Sequence, residues 1–233
     1  MNTGDPYGAV LWPAASAVAN HLIQNIPNSY SSSDPKTLFH GLTILELGSG
    51  TGLVSIVAAM GGAKSVIATD YEPIPLKFLN YAAQNLNPSP CNDHRHENSK
   101  YPKINLTSII QTSYFDMCDF KTPLPQADIV VAADIMYEPK TGKAMARRTL
   151  EALKQNSRVI IGDSPGRPGR PAFLKELEKL GLSGPEVKFI PTIGQTCSGE
   201  RHDLICGENS TSISKIPKDL EVAVMDLDPH MFF

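Results

Sequence analysis

The residues Glu46-Leu47-Gly48-Ser49-Gly50-Thr51-Gly52 set one acid and three glycines between two apolar runs. Such a turn lets the backbone approach a ligand closely. A helix starting behind it points N–H groups and a partial positive charge at that ligand. Dinucleotide folds use G-x-G-x-x-G, whose third glycine permits close helix packing over a pyrophosphate. Counting from Gly48 and Gly50, that glycine falls at position 53, which is Leu53. The third glycine is Gly52 instead, and Glu46 precedes the turn. This G-x-G-x-G form is the S-adenosylmethionine (SAM) pattern. SAM has no phosphate, and its ammonium and carboxylate need polar partners. Asp70 ends the next apolar run, where a carboxylate can accept both hydroxyls of a ribose. An acid near this spacing also occurs in NAD enzymes, so the combination with Leu53 makes the choice. A turn that merely joins a strand to a helix explains the glycines but not Glu46 and Asp70 beside them.

A second constellation follows the apolar run 129–133. Asp134 and Tyr137 lie three apart, so one turn of backbone brings both into one cleft. A carboxylate can hold an amine, and an aromatic face can guide it by a cation–π contact. The plainer alternative is that Asp134 caps the next segment and Tyr137 packs. From the residues alone the two readings stand level. Cys91, His94 and His96 share one loop, but their spacing matches no metal-ligand pattern. A solvated loop is expected there, and no metal. Arg167 and Arg170, between Pro and Gly, meet either an acidic substrate or solvent. Arg147 and Arg148, on an expected helix, read as exposed surface.

Positioning these residues requires strands that end along one rim. Short apolar runs at 42–47, 65–69, 104–111, 129–133 and 158–161 read as strands of a buried parallel sheet. Helical periodicity appears at 9–26, 53–60, 74–86, 143–155 and 172–180. Pro13 suits the first turn of the first helix, read as an N-terminal lid over the site. Polar, Pro-bearing residues 87–103 read as a surface loop insertion. The runs 187–193, 203–206 and 220–225 follow one another as strands with no helix between them. The expectation is one α/β domain over 1–233. It is a doubly wound, Rossmann-like seven-stranded sheet, mostly parallel with an antiparallel edge strand, and helices on both faces.

A net charge of −3 lacks the basic footprint of a nucleic-acid binder. No apolar run approaches the roughly 20 residues that span a bilayer, and residues 1–8 carry no signal or transit pattern. Four cysteines without C-x-x-C spacing suit free thiols in a reducing compartment. A cytoplasmic protein is expected, with the nucleus as the other location. It should be monomeric, with no membrane or nucleic-acid partner.

With these residues in view, the chain resembles the class I seven-strand methyltransferases. Within them it is similar to the methyltransferase-16 family of protein lysine methyltransferases. The matching pieces are Gly8-Ala9-Val10-Leu11-Trp12, the segment 44–59, Asp70, and Ala132-Ala133-Asp134-Ile135-Met136-Tyr137 with its D-x-x-Y. The resemblance implies a SAM cofactor, a protein substrate and a lysine acceptor. It implies that Trp12 lines the cofactor pocket and that Gly48 and Gly50 pass under the methionine part. Asp70 would hold the ribose, and Ala133 would touch the cofactor through its backbone. Glu46 and Ser49 belong to the same cofactor set, and Asp134 and Tyr137 would face the substrate as the catalytic pair. The family usually has Trp-Gly after strand three, whereas this chain has Tyr114-Phe115-Asp116. Phe115 is the first choice for the aromatic against the adenine and Tyr114 the second. The stretch Gly162-Asp163-Ser164-Pro165-Gly166-Arg167-Pro168 resembles a Gly-Asp-x-Gly-Arg-Pro stretch of the electron-transfer-flavoprotein lysine methyltransferase branch. The alternatives are methylation of a small molecule or RNA, and a SAM-binding regulator without activity.

Overall fold

The computed structural model describes residues 10–26, 38–86, 105–197 and 217–233. The loop expected at 87–103, with Cys91, His94 and His96, and the strand expected at 203–206 lie outside them.

Five strands form the parallel part of the sheet: β1 (Thr43–Leu47), β2 (Ser65–Asp70), β3 (Ile110–Tyr114), β4 (Ile129–Ala133) and β5 (Arg158–Asp163), all mostly buried except β3, which ends the sheet order and is buried only at Ile110. Two further strands complete it, β6 (Ile190–Cys197) and β7 (Pro217–Leu227). The order is β3-β2-β1-β4-β5-β7-β6, with β7 antiparallel to both of its neighbours. The antiparallel addition therefore sits at the β5 side of the sheet.

Alternation along the strands sends side chains to two cores. Ile44, Val131 and Ile160 face one of them, and Leu45, Val130 and Ile161 the other. The first is covered by α1 (Pro13–Asn25), α2 (Leu53–Met60) and α3 (Pro73–Asn85), through Val18, Leu22, Val54 and Leu79. The second is covered by α5 (Pro139–Lys154) and α6 (Gly169–Lys179), through Met145, Leu153, Phe173 and Leu177. The central strands are thus buried on both faces, as continuous apolar runs require.

The helix read as a lid lies along the sheet. Helix α1 packs across β4, β5, β7 and β6, and only its N-terminal end reaches the rim where the strands finish. Gly162 permits this approach, because a Cβ there would lie 2.5 Å from Val18 Cγ2 and 3.0 Å from the Ala14 carbonyl. At the opposite end, Asp226 of β7 takes His21 of α1 at 2.6 Å and Arg158 of β5 at 2.7 Å.

The run at 104–111 divides differently from expectation. Residues Leu106–Ile109 form a short helical turn, α4, and β3 begins only at Ile110. Asn105 favours the turn, accepting the Ser108 N–H and hydroxyl on its carbonyl and the Thr107 hydroxyl on its side chain. Leu106 still reaches the core. A short apolar run cannot separate one helical turn from strand. Helix α5 also starts earlier than its periodicity shows, at Pro139, where Thr141 Oγ1 accepts the Glu138 N–H at 3.2 Å and donates to the Glu138 carbonyl at 2.8 Å. Among the described residues no helix is long and apolar enough to cross a membrane.

Candidate active site

The order places β1 between β2 and β4, so the chain leaves the centre of the sheet in both directions. In open α/β sheets ligands bind at that reversal, outside the carboxyl ends of the strands. A pocket of about 610 Å³ lies there, within the range of small-ligand sites. Gly48 and Gly50 border it after β1, Asp70 at the end of β2 and Phe115 after β3. Ala133, Asp134 and Tyr137 border it at and after β4, and Trp12 from the start of α1. The fold thus brings eight of the ten expected site residues to one cavity.

The turn after β1 is strained in the way glycine permits. Gly48 has φ 68°, and a Cβ there would sit 2.6 Å from Ile135 Cγ2. Backbone bonds then fix the turn: Ser49 N–H donates to the Thr69 carbonyl at 2.8 Å, and Gly52 N–H to the Ser49 carbonyl at 2.7 Å. Asp70 joins two loops at once. Its Oδ2 accepts the Gly50 N–H and its Oδ1 the Glu72 N–H, both at 3.0 Å.

Glu46 and Ser49 are buried but do not border the cavity. Glu46 lies beneath the turn. Its Oε2 accepts the Ser55 N–H at 3.0 Å and also the Ser55 hydroxyl. It therefore ties the end of β1 to the first turn of α2, satisfying an N–H that a helix leaves open. Burial pushes its carboxyl up to about 8, against the opposing pull of the Ser55 bonds. The buried Ser49 hydroxyl has no hydrogen-bond partner among the described residues.

The two aromatics at the end of β3 differ in place. Tyr114 is 67% exposed and points away, whereas Phe115 is 7% exposed and borders the cavity. Asp116, Met117 and Cys118 continue that wall. Asp116 Oδ1 accepts the Cys118 N–H at 2.8 Å, closing an Asx turn. Sequence reading singled out none of these three. The D-x-C pattern is their only local signal.

Arg148 corrects a second expectation, for it is 1% exposed rather than on the surface. It donates to the carbonyls of Met117 at 3.0 Å and Asp119 at 2.6 Å, and pairs with Glu151 at 2.6 Å. Its guanidinium also lies 4.9 Å from the ring centres of both Phe115 and Phe120. One side chain of α5 thereby fastens the wall that carries Phe115. Its neighbour Arg147 is exposed, as expected.

Asp134 adopts φ 55°, a left-handed conformation uncommon outside glycine. Its carboxylate is buried and receives four donors. The Ser164 N–H at 2.8 Å and Arg167 Nε at 3.2 Å reach Oδ1. The Ser164 hydroxyl at 2.9 Å and the Ala14 N–H at 3.1 Å reach Oδ2. Asp134 thus caps α1, a helix far from it in sequence, while bordering the cavity. Arg167 in turn lies 4.6 Å from the centre of the Trp12 indole. Arg170 pairs with Asp163 at 2.7 Å and stacks 4.6 Å from Phe189. Both arginines face inward rather than to solvent. Burial raises the Asp163 carboxyl to about 6 although Arg170 opposes it. Tyr137, by contrast, is 45% exposed at the mouth of the cavity. No group of His, Cys, Asp and Glu among the described residues could hold a metal.

Comparison with known proteins follows the same lines. The electron transfer flavoprotein beta subunit lysine methyltransferase of Mus musculus is 29% identical over 177 residues, covering 72% of this chain and 53% of that protein. The chain thus spans about half the length of these curated relatives. A protein N-terminal and lysine N-methyltransferase of Kluyveromyces lactis is 24% identical over 195 residues, covering 78% and 68%. Among solved structures, precorrin 8w decarboxylase of Methanobacterium thermoautotrophicum shares the fold, with TM-score 0.52, 16% identity and coverage of 93% and 92%. A family model described as lysine methyltransferase matches residues 1–180, the part of the chain that supplies every wall of the cavity described above. The chain belongs to the lysine methyltransferase family.

Proposed function

We propose that this chain is a SAM-dependent methyltransferase acting on a lysine side chain of a protein. The observation that carries this reading is the single cavity with two different ends. The glycine turn, Asp70 and Phe115 form one end, and the half-exposed Tyr137 stands at the other.

The residues present fit the cofactor. Gly48 leaves open a space that a Cβ could fill only against Ile135, so the turn stays low beneath the methionine part. Asp70 accepts a backbone N–H on each oxygen and borders the cavity, where its carboxylate would meet the ribose hydroxyls. Phe115 offers an apolar face to the adenine, and Trp12 closes the wall beside the Ala133 backbone. Glu46 and Ser49 serve the cofactor from beneath, by fixing the turn. When bound, SAM supplies an electrophilic methyl group on a sulfonium.

The acceptor side follows from Tyr137. An incoming lysine ammonium meets its ring in a cation–π contact. A free lysine has a pKa of about 10.4 and must shed a proton before attack. Acids on the cavity wall, Asp116 and Glu138 among them, attract the ammonium, and loss of water at the site favours its neutral form. Holding the amine in line can remove roughly 7–11 kcal/mol of the barrier at best. With its four bonds made inside the protein, Asp134 acts as a positioning residue that holds α1, Ser164 and Arg167 around the acceptor. A protein N-terminal amine is the second acceptor, favoured by the likeness to the Kluyveromyces lactis protein N-terminal and lysine N-methyltransferase over most of both chains. The reading includes a monomer, in the cytoplasm or nucleus, that does not act on nucleic acid.

Purified chain incubated with a cell lysate and methyl-labelled SAM should transfer label to material that protease releases and nuclease does not. Acid hydrolysis of that material should yield methylated lysine. Label that survives protease but not nuclease would overturn the protein reading.

A further inference from the structure

Beside the main cavity lies a second hollow of about 290 Å³, lined by Cys118, Phe120, Lys140, Lys143, Ala144 and Arg147. Cys118 and Lys140 border both, so the two are contiguous. Three of its six lining residues are cations and none is an acid, in a chain of net charge −3. The main cavity is richer in acids, with Asp70, Glu72, Asp116, Asp134 and Glu138 on its wall against Lys140 and Arg167.

Folding supplies no reason for this cluster. Lys140 and Lys143 stand near the start of α5, where the helix dipole disfavours cations. Among the described residues neither has an ion-pair partner within 4.0 Å. Of the nearby carboxylates, Asp116 and Glu138 face the main cavity, and one, Glu176, reaches a cation of the hollow itself, Arg147. Glu151 pairs with Arg148, while Asp119 accepts from the Lys121 N–H and the Thr122 hydroxyl. Arg147 is braced as well as paired, since its guanidinium lies 5.3 Å from the Phe120 ring centre. The hollow thus carries one cation that is paired and braced, Arg147, and two lysines with no ion-pair partner among the described residues.

We propose that this hollow is the subsite for an acidic side chain of the substrate protein, an Asp or Glu close in sequence to the acceptor. The proposal rests on the methyltransferase reading for the acceptor's identity, and on charge complementarity for the rest. A segment carrying a lysine and then an acid matches an acid-walled cavity leading into a cation-lined hollow. Lysine ammonium groups and a guanidinium offer many donors to one carboxylate. From Lys140 to Arg147 the helix rises about 10 Å, the reach of about three extended residues. Because the hollow shares Cys118 and Lys140 with the cavity, the acid lies close in sequence to the acceptor. A polyanion such as RNA fits less well, because its next phosphates would meet Asp116 and Glu138.

Two fluorescein-labelled heptapeptides test this by anisotropy with the full chain, one carrying a lysine followed by two glutamates, the other glutamines in their place. The glutamate peptide should bind at least five-fold more tightly than the glutamine peptide at low salt. Lys143→Glu should abolish the difference and Lys143→Arg should keep it, with thermal stabilisation by SAM unchanged in both variants. Equal binding of the two peptides, no saturable binding, or a difference that survives Lys143→Glu overturns the proposal. So does tighter binding of a ten-residue oligouridylate that Lys143→Glu removes. Loss of SAM stabilisation with peptide discrimination intact would overturn the methyltransferase reading and leave the acidic subsite standing.

Discussion

At Asp134 three segments meet: the end of β4, the first turn of α1 and the loop after β5. Replacing it by alanine strands the Ala14 and Ser164 N–H groups and the Arg167 guanidinium away from water. Breaking a buried ion pair by removing one partner costs about 3–5 kcal/mol, so Asp134→Ala should unfold in urea at a clearly lower midpoint. A variant that lost activity with its midpoint unmoved would mean that the carboxylate serves the substrate alone. Glu46 makes a separate prediction, this time in pH. Its carboxyl titrates near 8 when folded and near 4.5 in its ordinary state. Between those values the folded chain holds a proton that the unfolded chain has lost. Stability therefore falls as pH rises through that window, by on the order of 1 kcal/mol per pH unit. Glu46→Gln imitates the protonated form. Its melting temperature should match that of the parent near pH 5 and exceed it at pH 8; equal melting at both pH values would refute the buried, protonated Glu46.

Between elements, Arg148 shows how one side chain can fasten a helix to the wall of a site. It couples α5 to the segment that follows β3 through two carbonyls and two rings, while Glu151 of the same helix holds the guanidinium in place. Arg148→Met leaves those carbonyls without their donor. It should cost about 1–3 kcal/mol for each buried group left unsatisfied and weaken thermal stabilisation by SAM, because Phe115 loses its backing. Full retention of both would show the wall to be held by other contacts. In sequence, Arg147-Arg148 is an exposed-looking pair because helical periodicity assigns charged residues to solvent. Nothing local reveals that the Met117 and Asp119 carbonyls wait opposite. Strands β1, β2, β4 and β5 were legible because each is a short run of mostly buried residues. The boundary at Ile110 was not, since Asn105 and its neighbours bend the chain through side-chain bonds that apolar periodicity ignores. Likewise, α1 carries the apolar spacing of a packed helix. Its place along the sheet, rather than over the site, depends on Gly162 in a strand far downstream.

For the molecule as a whole, the glycine turn, Asp70 and D-x-x-Y were readable because each combines a residue type with a strand end. Eight expected residues do reach one cavity. The roles of Glu46 and Ser49 beneath the turn, and of Arg167 against Trp12, needed three dimensions. The same holds for the differing charges of the cavity and its neighbouring hollow, since Asp116, Glu138, Lys143 and Arg147 come together only when α5 docks beside β3. The position of β7 has a consequence for synthesis. This strand lies between β5 and β6 and holds Arg158 and His21 through Asp226, yet it follows both in the chain. Until residues 217–227 have left the ribosome, β5 presents an open edge, and β6 has nothing to pair with. The nascent chain must therefore wait with its site-forming strands made and one flank exposed, the condition in which unpaired edges recruit other chains.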